Sequence, residues 1–404
     1  MKRVLMATLI AAAVACGYPQ SAAPKPWTTA TVTPGQAKTA EPSPPAVSSP
    51  TASGPTLYAV VEDKAHPGGL GFDTIAIADL NGIARAKATF TPMRVPTTGC
   101  YGGTPMPIPA TTAAGAAFFA DSTGVVRKLG VDGSVTTITT FPVVSAQQVL
   151  SFVVSPDGAH LLGAILTLAP RPAGDPCGPN AKFSFLYGDP TNDVYSADAG
   201  AAPRLLYHET WSPSAQTPTT LLVLKSWTAA GPRGTYPSII ALQGAGPTGA
   251  DGTAVRVDPV TGKVLGPVVQ STCILPVVAA SGDYSCLPSD VLSRDADSSM
   301  IVFRPDGTEL WRGVAKGEDR YGHGLLAPDE SHLVTFASII GRDASRSPIP
   351  AVFPMGWVDS RTLLVFDNRM SPGSGATGYI SLDDPSKVVN LGFDGHFAGN
   401  INER

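Results

Sequence analysis

The sequence predicts an all-β fold: a single β-propeller of six or seven four-stranded blades, seven preferred, formed by residues 56–404 behind a disordered N-terminal tether. Three observations point to it. One hairpin phrase recurs, as "VSPDGAHLLGAI" at 154–165, "LAPDESHLVTF" at 326–336 and "WVDSRTLLVF" at 357–366. Gly (42) and Pro (39) are abundant among the 404 residues, which favours many turns over long helices. No clear amphipathic helical period interrupts the series.

The first sixteen residues, "MKRVLMATLIAAAVAC", place Lys2 and Arg3 before a short apolar run. Val4 to Ala15 is too short for a permanent membrane-spanning helix. Small residues at 13 to 15 lead directly into Cys16. This order resembles the lipobox of bacterial lipoprotein signal peptides. The resemblance implies that residues 1–16 are the signal, that Cys16 is diacylated to become the mature N-terminus, and that the protein sits on the extracytoplasmic face of a bacterial cell membrane. A plain secretory signal cleaved nearby is the alternative. Acyl chains bury about 0.8 kcal/mol per CH₂, and more than one chain makes attachment stable.

Residues 17–55 are dominated by Pro, Ala, Ser and Thr without apolar periodicity. Such a segment buries too little surface to offset its ordering entropy and reads as a disordered, semi-extended linker. With Cys16 set aside, Cys100, Cys177, Cys273 and Cys286 remain. An exported chain meets oxidising conditions, so the even remainder suggests two disulfides. Cys273 and Cys286 are close enough in sequence to clamp one hairpin, which leaves Cys100 with Cys177; three pairings are open.

From residue 56 onward, acidic turns join runs rich in Val, Ile, Thr and aromatics, the signature of hairpins. They fall at Asp79–Gly82, Asp132–Gly133, Asp198–Gly200, Asp258–Gly262, Asp306–Gly307 and Asp383–Ser386. Asp satisfies turn N–H groups and Gly accepts positive φ. Most gaps are about 50–65 residues, close to what a four-stranded sheet with its turns requires. The longer gap from Asp306 to Asp383 has room for a hidden unit, and insertions are expected near 167–190 and 226–252. Radial repetition of such sheets is a propeller. The quoted hairpins resemble the TolB-type and WD40-like propeller repeats of exported bacterial proteins. "TLYAVVED", from Thr56, reads as a second strand lacking a first, and the tail "GHFAGNI" at 395–401 is a candidate for that missing strand. A shared blade would remove exposed edges.

Function is less marked. The formal net charge is −4, charged residues are 15% of the chain, and no basic stripe appears, so no nucleic-acid partner is expected. No Gly-x-Ser-x-Gly elbow is present. The histidines (66, 160, 208, 323, 332 and 396) show no metal-ligand spacing, and no cofactor or metal site is expected. His160 and His332 hold equivalent places after turns and read as structural. Asp157, Asp306 and Asp329 read as turn caps. "GDPTNDVYSAD" at 188–198 lacks the regular spacing of a calcium loop and reads as a polar loop. "TELWRG" at 308–313 faintly resembles quinoprotein blades, in one copy where a cofactor ring needs several. Trp311 and Trp357 belong to strand patterns and read as core. Trp211, Trp227 and His323 are the candidate ligand-facing residues. The reading is a lipid-anchored binding or scaffold module for an extracytoplasmic protein, peptide or glycan. The alternative is an enzyme of lactonase, glycosidase or quinoprotein type with a site in the central funnel.

Overall fold

The computed structural model describes residues 56–62, 72–92, 108–168, 190–210, 222–228, 231–237, 252–268, 273–279, 281–288, 298–316, 324–367 and 375–401. Among these residues, 28 strands form seven antiparallel sheets of four. Blade 1 contains β1 (Leu57–Glu62), β2 (Thr74–Asp79) and β3 (Ala84–Thr89). Blade 2 is β4 (Ala110–Ala113), β5 (Ala116–Ala120), β6 (Val125–Leu129) and β7 (Val135–Thr140). Blade 3 is β8 (Gln148–Val154), β9 (His160–Thr167), β10 (Thr191–Asp198) and β11 (Arg204–Thr210). Blade 4 is β12 (Val223–Thr228), β13 (Gly231–Pro237), β14 (Gly252–Val257) and β15 (Val264–Pro267). Blade 5 is β16 (Cys273–Val278), β17 (Tyr284–Pro288), β18 (Ser298–Phe303) and β19 (Glu309–Ala315). Blade 6 is β20 (Leu325–Leu326), β21 (His332–Val334), β22 (Ser338–Gly341) and β23 (Arg346–Pro348). Blade 7 is β24 (Phe353–Asp359), β25 (Thr362–Phe366), β26 (Thr377–Ser381) and β27 (Asp384–Asn390). The last strand, β28 (His396–Asn400), returns to complete blade 1 in the order β28-β1-β2-β3.

Each blade touches the next, and β24 of blade 7 touches β28 of blade 1, so the seven sheets close into a ring. The fold is a seven-bladed β-propeller. Its seal is the expected one. Tyr58 pairs with Asn400 and Val61 with His396. The Ile401 N–H donates to the Leu57 carbonyl at 3.0 Å. The Asn400 amide donates to the Trp357 carbonyl of blade 7 at 2.8 Å. A sheet built from both ends of the chain leaves no edge at the seam of the ring.

Alternation of side chains along each strand gives every blade two faces, each packed on a neighbour. Six apolar clusters fill six of the seven blade boundaries among the described residues. Between blades 2 and 3, the fully buried Phe141 ring lies where a Cβ on Gly163 would stand, 2.6 Å from its nearest ring carbon. Glycine is what lets β9 approach that ring. Trp311 and Trp357 are buried at 7% and 5% exposure, the core role their strand patterns suggest.

The opening phrases fall as expected: Pro156–Ala159 joins β8 to β9, Pro328–Ser331 joins β20 to β21, and Ser360 and Arg361 join β24 to β25. The long gap does hide a unit, blade 6. Its outer turn, Gly341–Ser345, is built on Asp343 in "GRDASR" with no glycine after the acid, and Ala344 takes φ +66° instead. Three readings need correction. Residues 191–198 are not a loop but β10: the polar run alternates, with Asn192 and Val194 buried. The insertion expected at 226–252 contains β13, a strand disguised by its glycines and prolines. The last hairpin turns at Leu382–Asp383, and Asp384–Ser386 already belong to β27.

Candidate functional site

Strand direction alternates within every blade, so the first-to-second and third-to-fourth turns share one face of the ring. On that face the connections are short. The opposite face receives the second-to-third and blade-to-blade connections, and nine of these include the segments 63–71, 93–107, 169–189, 211–221, 238–251, 269–272, 289–297, 317–323 and 368–374. Leu57 begins β1 and Asn400 ends β28 on the short-turn face, so both ends of the ring meet there.

The short-turn face is built on aspartates. Asp132, Asp157, Asp306, Asp329 and Asp343 each accept the backbone N–H two residues ahead, at 2.8–3.1 Å. The Ser155 hydroxyl and the Ala159 N–H hold the Asp157 carboxyl below its usual range. Asp157, Asp306 and Asp329 are therefore turn caps. Asp79 adds a cation: burial pushes its carboxyl up, but the Asn81 N–H and the Arg85 guanidinium outweigh burial and keep it ionised. "DSTGVVR" at 121–127 repeats "DLNGIAR" at 79–85, and Asp121 holds Arg127 at 2.6 Å in the same way.

Among the described residues, three non-glycine residues on this face take the left-handed backbone, Ala114, Glu330 and Ala344, and Glu330 alone of them carries a charge. Glu330 stands where Gly158 stands in blade 3, and it keeps the left-handed backbone, φ +61° against +76°. A non-glycine residue there costs about 1–2 kcal/mol. Its carboxyl is hydrogen-bonded to Asp283, from the equivalent turn of blade 5, which is 7% exposed. That bond, then burial and the Asp283 charge, push Glu330 up to about 7, while Arg342 and Arg304 oppose the rise. Glu330 thus holds its proton to near neutrality against a carboxyl of the adjacent blade. Ser281 donates to Asp283 at 3.1 Å and fixes its orientation.

Blade 4 carries a second feature that the pattern of turns did not reveal. Arg233 on β13 is 4% exposed and pairs in register with Arg256 on β14. Its Nε has no hydrogen-bond partner, and one terminal nitrogen reaches only the Pro232 carbonyl at 3.3 Å. Burial and the Arg256 charge both disfavour its cation. Lys225 on neighbouring β12 is also desolvated, its ammonium pushed down to about 8.

Of the candidate ligand-facing residues, Trp227 is half-buried on β12 against the blade 3–4 core. Trp211 and His323 lie outside the described residues, as do Cys16, Cys100 and Cys177. Cys273 begins β16 opposite Pro288, two positions along β17 from the buried Cys286. His160 and His332 open β9 and β21 as equivalents; His160 contacts Asp198 at 2.7 Å and His332 contacts the Ser331 hydroxyl at 2.6 Å. His396, on the sealing strand, stacks on Phe366 and meets Phe72 edge-on, and burial lowers its imidazole pKa. Among the described residues, no three His, Cys, Asp or Glu side chains are grouped to hold a metal ion.

No family model matches the chain, and no curated protein matches it. Solved structures do. An oligogalacturonate lyase in complex with manganese is 12% identical, with 76% of this chain and 81% of that one covered, at a TM-score of 0.46. A TolB-like protein from Agrobacterium tumefaciens is 14% identical, with 85% and 91% covered, at 0.33. An acylaminoacyl peptidase from Pyrococcus horikoshii is 11% identical, at 0.45, with 83% of this chain but 50% of the peptidase covered.

Proposed function

We propose that the protein is a lipid-anchored, extracytoplasmic propeller that binds or scaffolds a protein, peptide or glycan partner with its long-connection face. The observation that carries this reading is the division of labour between the two faces. The linker from Cys16 enters the ring at Leu57, on the short-turn face, beside the end of the last strand. The extended connections leave from the other face, the one turned away from the point of attachment. Loops set on a rigid scaffold are where binding residues concentrate. Trp211 and His323 belong to those connections and are the residues assigned to contact.

The test has two arms in the native host. Cys16→Ser should move the protein from the membrane fraction to the soluble exported fraction. Crosslinking from membranes should capture a defined partner through residues placed in 211–221 and 317–323, and not through residues placed in the Asp132 or Asp306 turns. Retention of Cys16→Ser in membranes would refute the anchor. Equal capture from both faces would refute the assigned surface.

A second reading, a propeller hydrolase, has one observation on its side: Glu330, hydrogen-bonded to Asp283, keeps its proton to about pH 7, as a general acid does. Glu330→Gln would then abolish turnover of a lactone or glycoside that the wild type cleaves, while the fold survives.

A further inference from the structure

At the boundary between blades 4 and 5, the described residues include a buried arginine, Arg233, paired in register with Arg256. Leu224 and Val255 of blade 4 pack on blade 3, and Gly234 is their common partner in the sheet. By alternation, Arg233 and its partner Arg256 project from the other face, toward blade 5. On blade 5, Val302 packs on blade 6 and pairs with Ser285. Tyr284 and Cys286 therefore project back toward blade 4. They bring a phenol and a sulfur to the seam, with the Asp306 carboxylate of the β18–β19 turn near enough to raise the phenol's pKa.

Two guanidiniums set directly opposite each other repel. One of them is withdrawn from water with its Nε unsatisfied. Among the described residues no carboxylate forms an ion pair with either. A buried cation is kept only where an anion and matching hydrogen bonds compensate its lost hydration. Arginine presents its donors as a planar fork suited to carboxylate and phosphate. Arg256 is exposed and Arg233 is not, so the pair forms a graded entrance from solvent into the seam.

We infer that the blade 4–5 seam is an oxyanion site, in which Arg233 and Arg256 together bind a carboxylate or phosphate group. This goes beyond the scaffold reading and does not depend on it.

Thermal unfolding of the detergent-solubilised full chain tests it, with sodium phosphate or sodium acetate titrated against sodium chloride at equal ionic strength and pH 7. A ligand that binds only the folded state raises Tm in a saturable way. The expected result is a saturating rise with at least one oxyanion and none with chloride; the anion that saturates at lower concentration identifies the group. Arg256→Gln, at an exposed position, should weaken apparent affinity at least tenfold. Arg233→Met should abolish the response and, without oxyanion, melt no lower than wild type, because it removes an uncompensated charge. A response no greater than that of chloride, or one unchanged in Arg256→Gln, overturns the site. Should Arg233→Met not fold, Arg256→Gln decides alone.

Discussion

Glu330 and Asp283, from equivalent turns of adjacent blades, join their carboxyls across a blade boundary, and Glu330 does so from a backbone conformation that blade 3 gives to glycine. The repeat pattern writes Ser-Pro-Asp-Gly at 155–158 and Ala-Pro-Asp-Glu at 327–330. The exchange brings strain and like-charge contact together. Glu330→Gly should raise stability by about 1–2 kcal/mol at pH 8, by releasing the left-handed strain. Denaturant midpoints measure it, and a lower midpoint for the variant would contradict the strain argument.

The same pair sets a pH dependence. Glu330 binds its proton more tightly when folded, with its pKa raised from 4.5 to about 7. Between those values the native state holds more protons than the unfolded one, so stability falls as pH rises. The contribution is full below pH 4.5 and is lost on passing pH 7. Glu330→Gln should flatten the stability profile between pH 5 and 8; an unchanged slope would place its origin elsewhere.

Gly163→Ala drives a Cβ into the Phe141 ring, which is fully buried. Overpacking of this kind costs about 1–3 kcal/mol. The double variant with Phe141→Leu should recover part of the loss, and a double-mutant cycle in urea reads the coupling.

Asn400→Ala removes the bond from the sealing strand to the Trp357 carbonyl, at a site 8% exposed. The expected cost is about 1–3 kcal/mol, because the buried carbonyl is left unsatisfied. Hydrogen exchange should rise first in β28 and β1; uniform change around the ring would argue against a local seal.

Cys273 and Cys286 are proposed to form a disulfide across the β16–β17 hairpin, closing a short loop worth about 3 kcal/mol. Peptide mapping without reductant should recover the two cysteines in one linked fragment. Recovery of Cys286 with Cys100 or Cys177 would replace that pairing.

Asp132, Asp258 and Asp306 made the blades readable in the sequence because turn chemistry is local: an acid and a glycine suffice to reverse the chain. The outer turn of blade 6 escaped this reading because Asp343 is followed by Ala and Ser, and Ala344 bears the positive φ itself. β10 escaped because Asn192 and Asp193 resemble loop residues, although strict alternation buries Asn192 and leaves Asp193 beside His208 at 2.5 Å. The site was harder still. Nothing local marks Arg233, which acquires meaning only when β13 is set against β14 and turned toward blade 5. Asp283 and Glu330 lie far apart in sequence, and only the packing of blade 6 on blade 5 makes them neighbours.

The seal of blade 1 sets a timetable for biogenesis. β1 is among the first strands to be synthesised, yet its partner β28 follows only after six other blades. Until β28 arrives, the ring is an open arc with the backbone of β1 unpaired on one side and Tyr58 and Val60 uncovered. An unpaired strand of this sort invites intermolecular pairing. Holdases or proteases would act on this arc rather than on the finished molecule, and slow or truncated synthesis would show itself as aggregation through β1.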